Sequence, residues 1–212
     1  AAAVARGAGE NGEYADLRAR VHSDALAVLP VGDLALNHDF TETARRAIGR
    51  AERVIWPVVP LLLVLVFGSV IAAVLPLGVG ILGVAGGMAA TLALSHVTPV
   101  SIYAVNVVSM IGFSVAIDYS LFVISRFRDE LGRHRPPEAL ARTLATAGRA
   151  VFFSGVTVAI GLLGMLVLDV PSLGSMGLAG TAVVTLAVLF ALTFLPALLA
   201  ILGPRVDALR FP

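Results

Sequence analysis

Long apolar runs separated by short polar stretches fill the chain after residue 53. Five such runs can be delimited, at residues 54–74, 77–94, 102–124, 150–168 and 176–202. Each is close to the ~20 apolar residues that a helix needs to cross a hydrocarbon core about 30 Å thick. The last run is longer than the others and contains Pro196, where we expect it to bend or end. The pattern therefore predicts five membrane-spanning helices.

Residues 1–53 have a different, mixed pattern. Apolar residues recur at helical spacing between 14 and 28, and a short apolar run at 28–36 is interrupted by Pro30 and Gly32, which is typical of a strand or its edge. Asp39 and Glu42 then form an Asp/x/x/Glu variant of the capping box. So short a region buries too little surface to fold alone. We expect an α/β remnant that ends a larger domain.

Composition supports a membrane protein. Hydrophobic residues make up 58% of the chain and the mean hydropathy is +0.94, whereas soluble domains contain about 45–50% apolar residues. The chain has no cysteine, which excludes disulfides and thiolate metal sites. Its four histidines are scattered without the spacing of a metal site. We therefore predict no metal and no cofactor.

Arginine placement predicts the orientation. The connector at residues 125–149 and the tail at 204–212 are rich in arginine, whereas the loops around 95–101 and 169–171 contain none. Short cytoplasmic loops carry an excess of basic residues, so the connector and the tail are predicted to be cytoplasmic and residues 1–53 exterior. Within the connector, Pro136 favours a helix start and Gly148 a helix stop. We expect a separate cytoplasmic helix there.

Small residues form two stripes suited to helix packing. One lies on the fourth apolar segment and the other on the second: Ala150, Ser154, Thr157, Gly161 and Gly164, and Gly83, Gly87 and Ala90. Membrane helices associate through such residues because lipid gives no hydrophobic driving force between them. We predict that both stripes are packing faces.

The third apolar segment contains one formal charge, Asp118, followed by Tyr119. A carboxylate at the centre of a spanning helix costs roughly 2.5–3.5 kcal/mol to insert, so such residues usually serve a function and face the interior of a bundle. A low-dielectric environment disfavours the ionised form and thus favours proton uptake. We predict a proton-carrying pair, and Ser114 and Phe122 lie on or beside the same stripe. The alternative is a permanently neutral aspartic acid that only bonds a neighbouring helix.

Other motifs carry little weight. Residues 78–83 match GxGxxG but open a membrane span and follow no strand, so a dinucleotide site is rejected. Residues 112–116 resemble a nucleophile elbow without its final glycine or a histidine partner. Asp169 is predicted at the membrane edge, which disfavours an aspartyl protease. We do not expect an enzyme.

Residues 106–131, NVVSMIGFSVAIDYSLFVISRFRDEL, closely resemble the fourth-helix signature of the MMPL (mycobacterial membrane protein large) family of the RND superfamily. The resemblance extends to FGS at 67–69, LPL at 75–77, TAGRAVFFS at 146–154 and LGPRVDAL at 202–209. It implies an RND transmembrane half represented by helices two to six, at 54–124 and 150–203, after the end of an exterior porter domain. The fold class expected is an all-α polytopic membrane bundle with an α/β remnant.

The resemblance also implies a function. Family members are exporters of lipids or other hydrophobic molecules, driven by the proton-motive force at the inner membrane. By this likeness Asp118 is the proton carrier, Tyr119 its partner and Ser154 a member of their network, while Ser114 and Phe122 line the central cavity. A second half with a matching Asp-Tyr pair, or a partner subunit, is required, and nucleic acid is not expected as a partner. The alternative is a non-transporting lipid- or sterol-sensing bundle or scaffold.

Overall fold

The computed structural model describes residue 53 and residues 57–208. Its helices are all α-helical except for one π-helical turn and two 3₁₀ turns. In chain order they are α1 (Pro57–Phe67), α2 (Val70–Leu94), α3 (Ile102–Leu131), α4 (Pro136–Thr143), the π turn (Leu144–Gly148), α5 (Arg149–Leu163), a 3₁₀ turn (Gly164–Leu168), α6 (Pro171–Leu192), α7 (Phe194–Leu202) and a second 3₁₀ turn (Gly203–Asp207). Apart from Arg53, the predicted remnant at residues 1–53 lies outside this part.

Four stretches of the described residues are long and apolar enough to cross a membrane: Val70–Leu94, Tyr103–Leu131, Pro136–Leu168 and Pro171–Val206. The third joins α4, the π turn, α5 and the first 3₁₀ turn, and the fourth joins α6 and α7 with the second 3₁₀ turn. Helix α1 is apolar but shorter. The predicted all-α membrane bundle is therefore present, with element bounds that differ from expectation in three places.

The first break falls at Gly68 and Ser69, not near Pro76 as predicted. Gly68 has a φ of +60°, a left-handed conformation that glycine adopts without strain. Ser69 is the N-cap of α2, and its hydroxyl oxygen accepts a 3.5 Å hydrogen bond from the Ala72 N–H. Pro76 lies inside α2. The helix break thus coincides with the glycine and the cap, and the proline does not end the helix.

Ser69 also ties the end of the chain to the bundle. Its hydroxyl lies 2.8 Å from the Val206 carbonyl oxygen and 2.9 Å from that of Ala208, close enough to donate to either. Ser69 and Val206 are fully buried. The first residues of the predicted tail at 204–212 are therefore part of the packed structure.

The second difference is at Gly148, which does not stop a helix. Its φ and ψ are −59° and −42°, so the connector helix continues through the π turn into α5. Gly148 is buried, and a Cβ there would lie 3.4 Å from Leu144 Cδ2 and 3.6 Å from Leu192 Cδ2. The glycine allows close packing, and the predicted separate connector helix is one continuous rod with the next span.

The third difference concerns the last span. It begins at Pro171, at the first helical position, five residues before the predicted start at Met176. The helix breaks at Thr193, whose φ of −123° and ψ of −64° are not helical. Pro196 accounts for the break because it has no N–H for the Leu192 carbonyl, and its ring crowds that carbonyl. The expected bend is present, one turn before the proline.

Helices α2, α3 and α6 form the tightest core. Val183 of α6 fits between two glycines, since a Cβ on Gly87 of α2 would lie 2.5 Å from Val183 Cγ2 and one on Gly112 of α3 would also overlap that atom. Buried residues of α3 and α6 continue this core: Ala104, Val108, Ala179, Val183 and Val184. In the second small-residue stripe, Gly83 and Gly87 are thus packing positions, as predicted.

The small-residue stripe of α5 is different. Ser154, Thr157 and Gly161 are exposed, and a Cβ on Gly161 or Gly164 would meet nothing within 4 Å. In the apolar 18-residue segment of the Pro136–Leu168 stretch only 11% is buried inside the structure, against 39–44% for the corresponding segments of the other candidate spans. Within the described residues, the prediction that this stripe is a packing face is wrong.

Replacing Gly87 with alanine should destabilise the bundle by about 1–3 kcal/mol, the usual cost of overpacking a filled core. The matched control is Gly78→Ala on the same helix, where a Cβ would meet nothing within 4 Å and helix propensity favours alanine by up to about 1 kcal/mol. The melting temperatures of both variants are measured in detergent, with fluorescence-detected size-exclusion chromatography as the readout. Equal melting temperatures for the two variants would contradict the close approach of α2 and α6.

Candidate functional site

Helix α3 has one packed side and one open side. Its packed side includes Val108, Ala116, Val123 and Phe127, all fully buried. Its open side consists of residues spaced three or four apart, so that they follow one another along a single face. We call these the open face: Ser114, Asp118, Phe122, Ser125 and Asp129, all exposed.

Asp118 lies in the middle of the open face. It is the only Asp, Glu, Lys or Arg between residues 57 and 125, and residues 150–168 and 170–204 contain none. These apolar stretches therefore offer this carboxylate no ion-pair partner. The expected burial in the bundle interior is not provided by the described residues.

Tyr119 and Ser154 are brought together across two helices. The Tyr119 hydroxyl on α3 lies 3.3 Å from the Ser154 hydroxyl on α5, and either atom can donate. Tyr119 directly follows Asp118 in the sequence, and its hydroxyl links α3 to α5, the least buried of the candidate spans. The structure thus brings together two of the residues predicted for the site, Tyr119 and Ser154.

Ser114 and Phe122 lie one turn before and one turn after Asp118 on the open face, and Phe122 is 52% exposed. Phe122 presents its ring to whatever covers that face. The described residues place no opposite wall there, so a central cavity lined by these two side chains remains a prediction.

A cleft of about 590 Å³ lies where α3 ends and α4 begins. We call it the basic-end cleft, after the arginine-rich connector. Its polar lining comes from four residues of α3 and the following turn: Ser125, Arg128, Asp129 and His134. Arg128 Nη1 donates a 2.8 Å hydrogen bond to the Phe67 carbonyl at the end of α1, and the guanidinium carbon lies 5.7 Å from the Phe67 ring centroid. Sequence reasoning did not identify this cleft.

A ladder of charges runs beside the cleft at i, i+4 spacing. Arg126 Nη2 lies 2.6 Å from Glu130 Oε1, and Arg142 Nη2 lies 3.1 Å from Glu138 Oε1. His134 stands between the two carboxylates, with Nδ1 3.1 Å from Glu130 Oε2 and Nε2 3.8 Å from Glu138 Oε1. The Nδ1 approach is not aligned for a hydrogen bond, so this contact is ionic when the ring is protonated. The regular spacing from 126 to 142 was the signal in the sequence.

Long apolar helices, an unpaired carboxylate among them and a basic end define a multi-pass membrane protein. The MMPL family model matches residues 9–210. The chain belongs to the MMPL family.

Several curated relatives are similar over most of the chain. A putative membrane protein of Streptomyces coelicolor is 45% identical over 90% of this chain and 28% of its own length. The trehalose monomycolate exporter MmpL3 of Mycolicibacterium smegmatis is 42% identical over 82% of this chain and 17% of its own length. The mycolic acid-containing lipids exporter MmpL11 of the same organism is 40% identical over 82% of this chain and 18% of its own length. The chain thus spans less than a third of the length of these relatives.

A double-mutant cycle tests the Tyr119–Ser154 contact. Tyr119→Phe and Ser154→Ala should be non-additive, with a coupling of about 0.6 kcal/mol, typical of hydrogen bonds between membrane helices. The control pair is Tyr119→Phe with Thr157→Ala, because the Thr157 hydroxyl donates to the Phe153 carbonyl within its own helix. Thermal unfolding of the four proteins of each cycle measures the coupling. Additivity in both cycles would mean that the two hydroxyls do not interact.

Proposed function

We propose that this chain is the proton-coupling segment of a transporter that exports lipids or other hydrophobic molecules across the inner membrane. Membership of the MMPL family supports transport, and the two relatives named for lipid export support the substrate class. The observation that carries the proposal is Asp118, a carboxylate with no Lys or Arg in the apolar stretches 57–125, 150–168 and 170–204, next in sequence to a tyrosine that contacts α5. Protons moving down their gradient supply the energy, and no cofactor is required.

The proposed mechanism is built on the Tyr119–Ser154 contact between α3 and α5. Asp118 takes up a proton from the exterior and later releases it to the cytoplasm. When the carboxylate is ionised, the Tyr119 hydroxyl can donate to it; when it is protonated, that hydroxyl bonds Ser154 instead. The charge state of Asp118 then changes the contact between α3 and α5. One charge crossing 100 mV provides roughly 2.3 kcal/mol for each such cycle.

The open face must be covered during transport, because an ionised carboxylate in contact with lipid is costly. We propose that a second half of the transporter, or a partner subunit, covers it and supplies groups that face Asp118. Ser114 and Phe122 would then line the cavity between the halves. The exposed small residues of α5, next to the same face, suit close contact with another helix.

Asp118→Asn in the complete transporter should abolish export, because an amide neither takes up nor releases a proton at physiological pH. Trehalose monomycolate, the substrate named for one relative, is the first probe, and its appearance outside cells or across proteoliposomes is the measurement. Expression should be unchanged, and thermal stability should fall by no more than about 1 kcal/mol, because asparagine has nearly the size and shape of aspartate.

The matched control is Asp169→Asn. Asp169 lies in the turn between two candidate spans and has a φ of +51°, which asparagine also tolerates. The Asp169→Asn variant should export at the rate of the parent. Normal export by Asp118→Asn would exclude the proton relay and favour a lipid-sensing or scaffold bundle instead.

A further inference from the structure

The open face of α3 leads from Asp118 directly to the basic-end cleft. Asp129 lies 11 positions after Asp118 on a continuous helix, which corresponds to about 16 Å along the axis. Ser125, which lies between them on this face, lines the cleft together with Asp129. Phe122 is the one apolar side chain of the open face between Asp118 and Ser125. A proton leaving Asp118 towards the basic end therefore passes one aromatic ring before it reaches a polar cleft.

The cleft contains two groups that can accept a proton, the Asp129 carboxylate and the His134 imidazole. The carboxylates that approach His134 are Glu130 of α3 and Glu138 of α4, and Arg126 and Arg142 reach these two glutamates. Asp129 and Arg128 line the same cleft, and Arg133 and Arg135 flank His134 in sequence. Val66 and Phe67 of α1 and Pro204 of the second 3₁₀ turn add no charge. An imidazolium at this place is attracted by two carboxylates. Histidine is also the side chain that ordinarily changes charge between pH 5 and 8.

We infer that the basic-end cleft is the outlet of the proton relay, in which Asp129 and His134 accept the proton that Asp118 releases. The inference rests on the proposed function and names the next residues of the same path. The O–H bond of protonated Asp118 breaks, water carries the proton past Phe122, and the Asp129 carboxylate or the His134 imidazole takes it and passes it to bulk water. Asp118 is left ionised for the next cycle.

The lining disfavours the competing assignment of an anionic headgroup site. Asp129 places a negative charge in the cleft, and Arg128 already donates to the Phe67 carbonyl. A proton acceptor needs a base and water, and the cleft has both a carboxylate and an imidazole at its surface. Once the imidazole is protonated, the Glu130 and Glu138 carboxylates attract it from both sides.

The test uses the complete transporter in proteoliposomes whose lumen contacts the basic end. Trehalose monomycolate transport is measured over a series of lumenal pH values, with the outer pH moved in parallel so that the gradient stays constant. The parent should slow as the lumen is acidified, because the acceptors are already protonated. Asp129→Asn combined with His134→Gln should be about tenfold slower, less than the roughly 10²-fold effect of a positioned acid–base group because water reaches the cleft. Its dependence on lumenal pH should be flatter.

Chemical rescue separates proton transfer from a structural role. Imidazole added to the lumen is a mobile acceptor and should restore the rate of the double variant. The two single variants are measured in the same way in case the double variant fails to fold. The matched control, Asp169→Asn with His96→Gln, changes the same residue types at exposed positions elsewhere in the chain and should behave as the parent.

Two results would overturn the inference: a double variant with the parent's rate and pH dependence, or a slow variant that imidazole does not restore. Asp118→Asn in the same assay distinguishes this failure from failure of the proposed function. If Asp118→Asn is inactive while the double variant is normal, the relay stands and its outlet lies elsewhere. If Asp118→Asn is active, the relay itself is absent.

Discussion

Close packing at glycines on one side of the bundle is the constraint on which the remaining structure depends. Val183 occupies space that a methyl group on Gly87 or Gly112 would fill, so α2, α3 and α6 approach each other as closely as backbones allow. Since lipid provides no hydrophobic drive between helices, such contacts supply much of their association energy. They fix the rotation of α3, and this rotation turns Asp118 away from the core.

The two sides of α3 therefore have different compositions and different roles. The packed side of α3 holds buried apolar residues such as Val108, Val123 and Phe127, and the open side holds Asp118 together with Ser114, Ser125 and Asp129. Because the helix is rigid over 30 residues, the intramembrane carboxylate and the polar cleft at its end are kept in line. Tyr119, at the border of the two sides, is the residue placed to contact α5.

Much of this fold could be predicted from hydropathy alone, since four of the five apolar runs fall in helical stretches long enough to cross a membrane. The first run, at 54–74, instead covers the shorter α1 and the start of α2. The ends of the helices were harder. Pro76 suggested a boundary, but the adjacent pair of Gly68 and Ser69 had the stronger local chemistry, a left-handed glycine followed by a capping hydroxyl. Gly148 suggested a stop because glycine often ends helices, whereas here its missing side chain accommodates Leu144 and Leu192. Tertiary contacts decided both cases, and a single sequence does not show them.

The site could be predicted in part. A lone charge in an apolar run is visible in any sequence, and its neighbours at i±4 follow from helical geometry. Which face of α5 is covered could not be predicted, because small residues suit both contact within this chain and contact with another. The cleft was missed because its lining combines the end of α1, the turn after α3 and the second 3₁₀ turn, which are distant in sequence.

The uninterrupted rod from Pro136 to Leu168 has a mechanical consequence. A π turn holds one more residue per turn than an α-helix, and Leu144–Gly148 sits between the charged segment outside the spans and the helix that bears Ser154. If the extra residue moved along the rod, every side chain it passed would rotate by about 100°. A register change at the polar end of the rod would then reorient the Ser154 hydroxyl that contacts Tyr119.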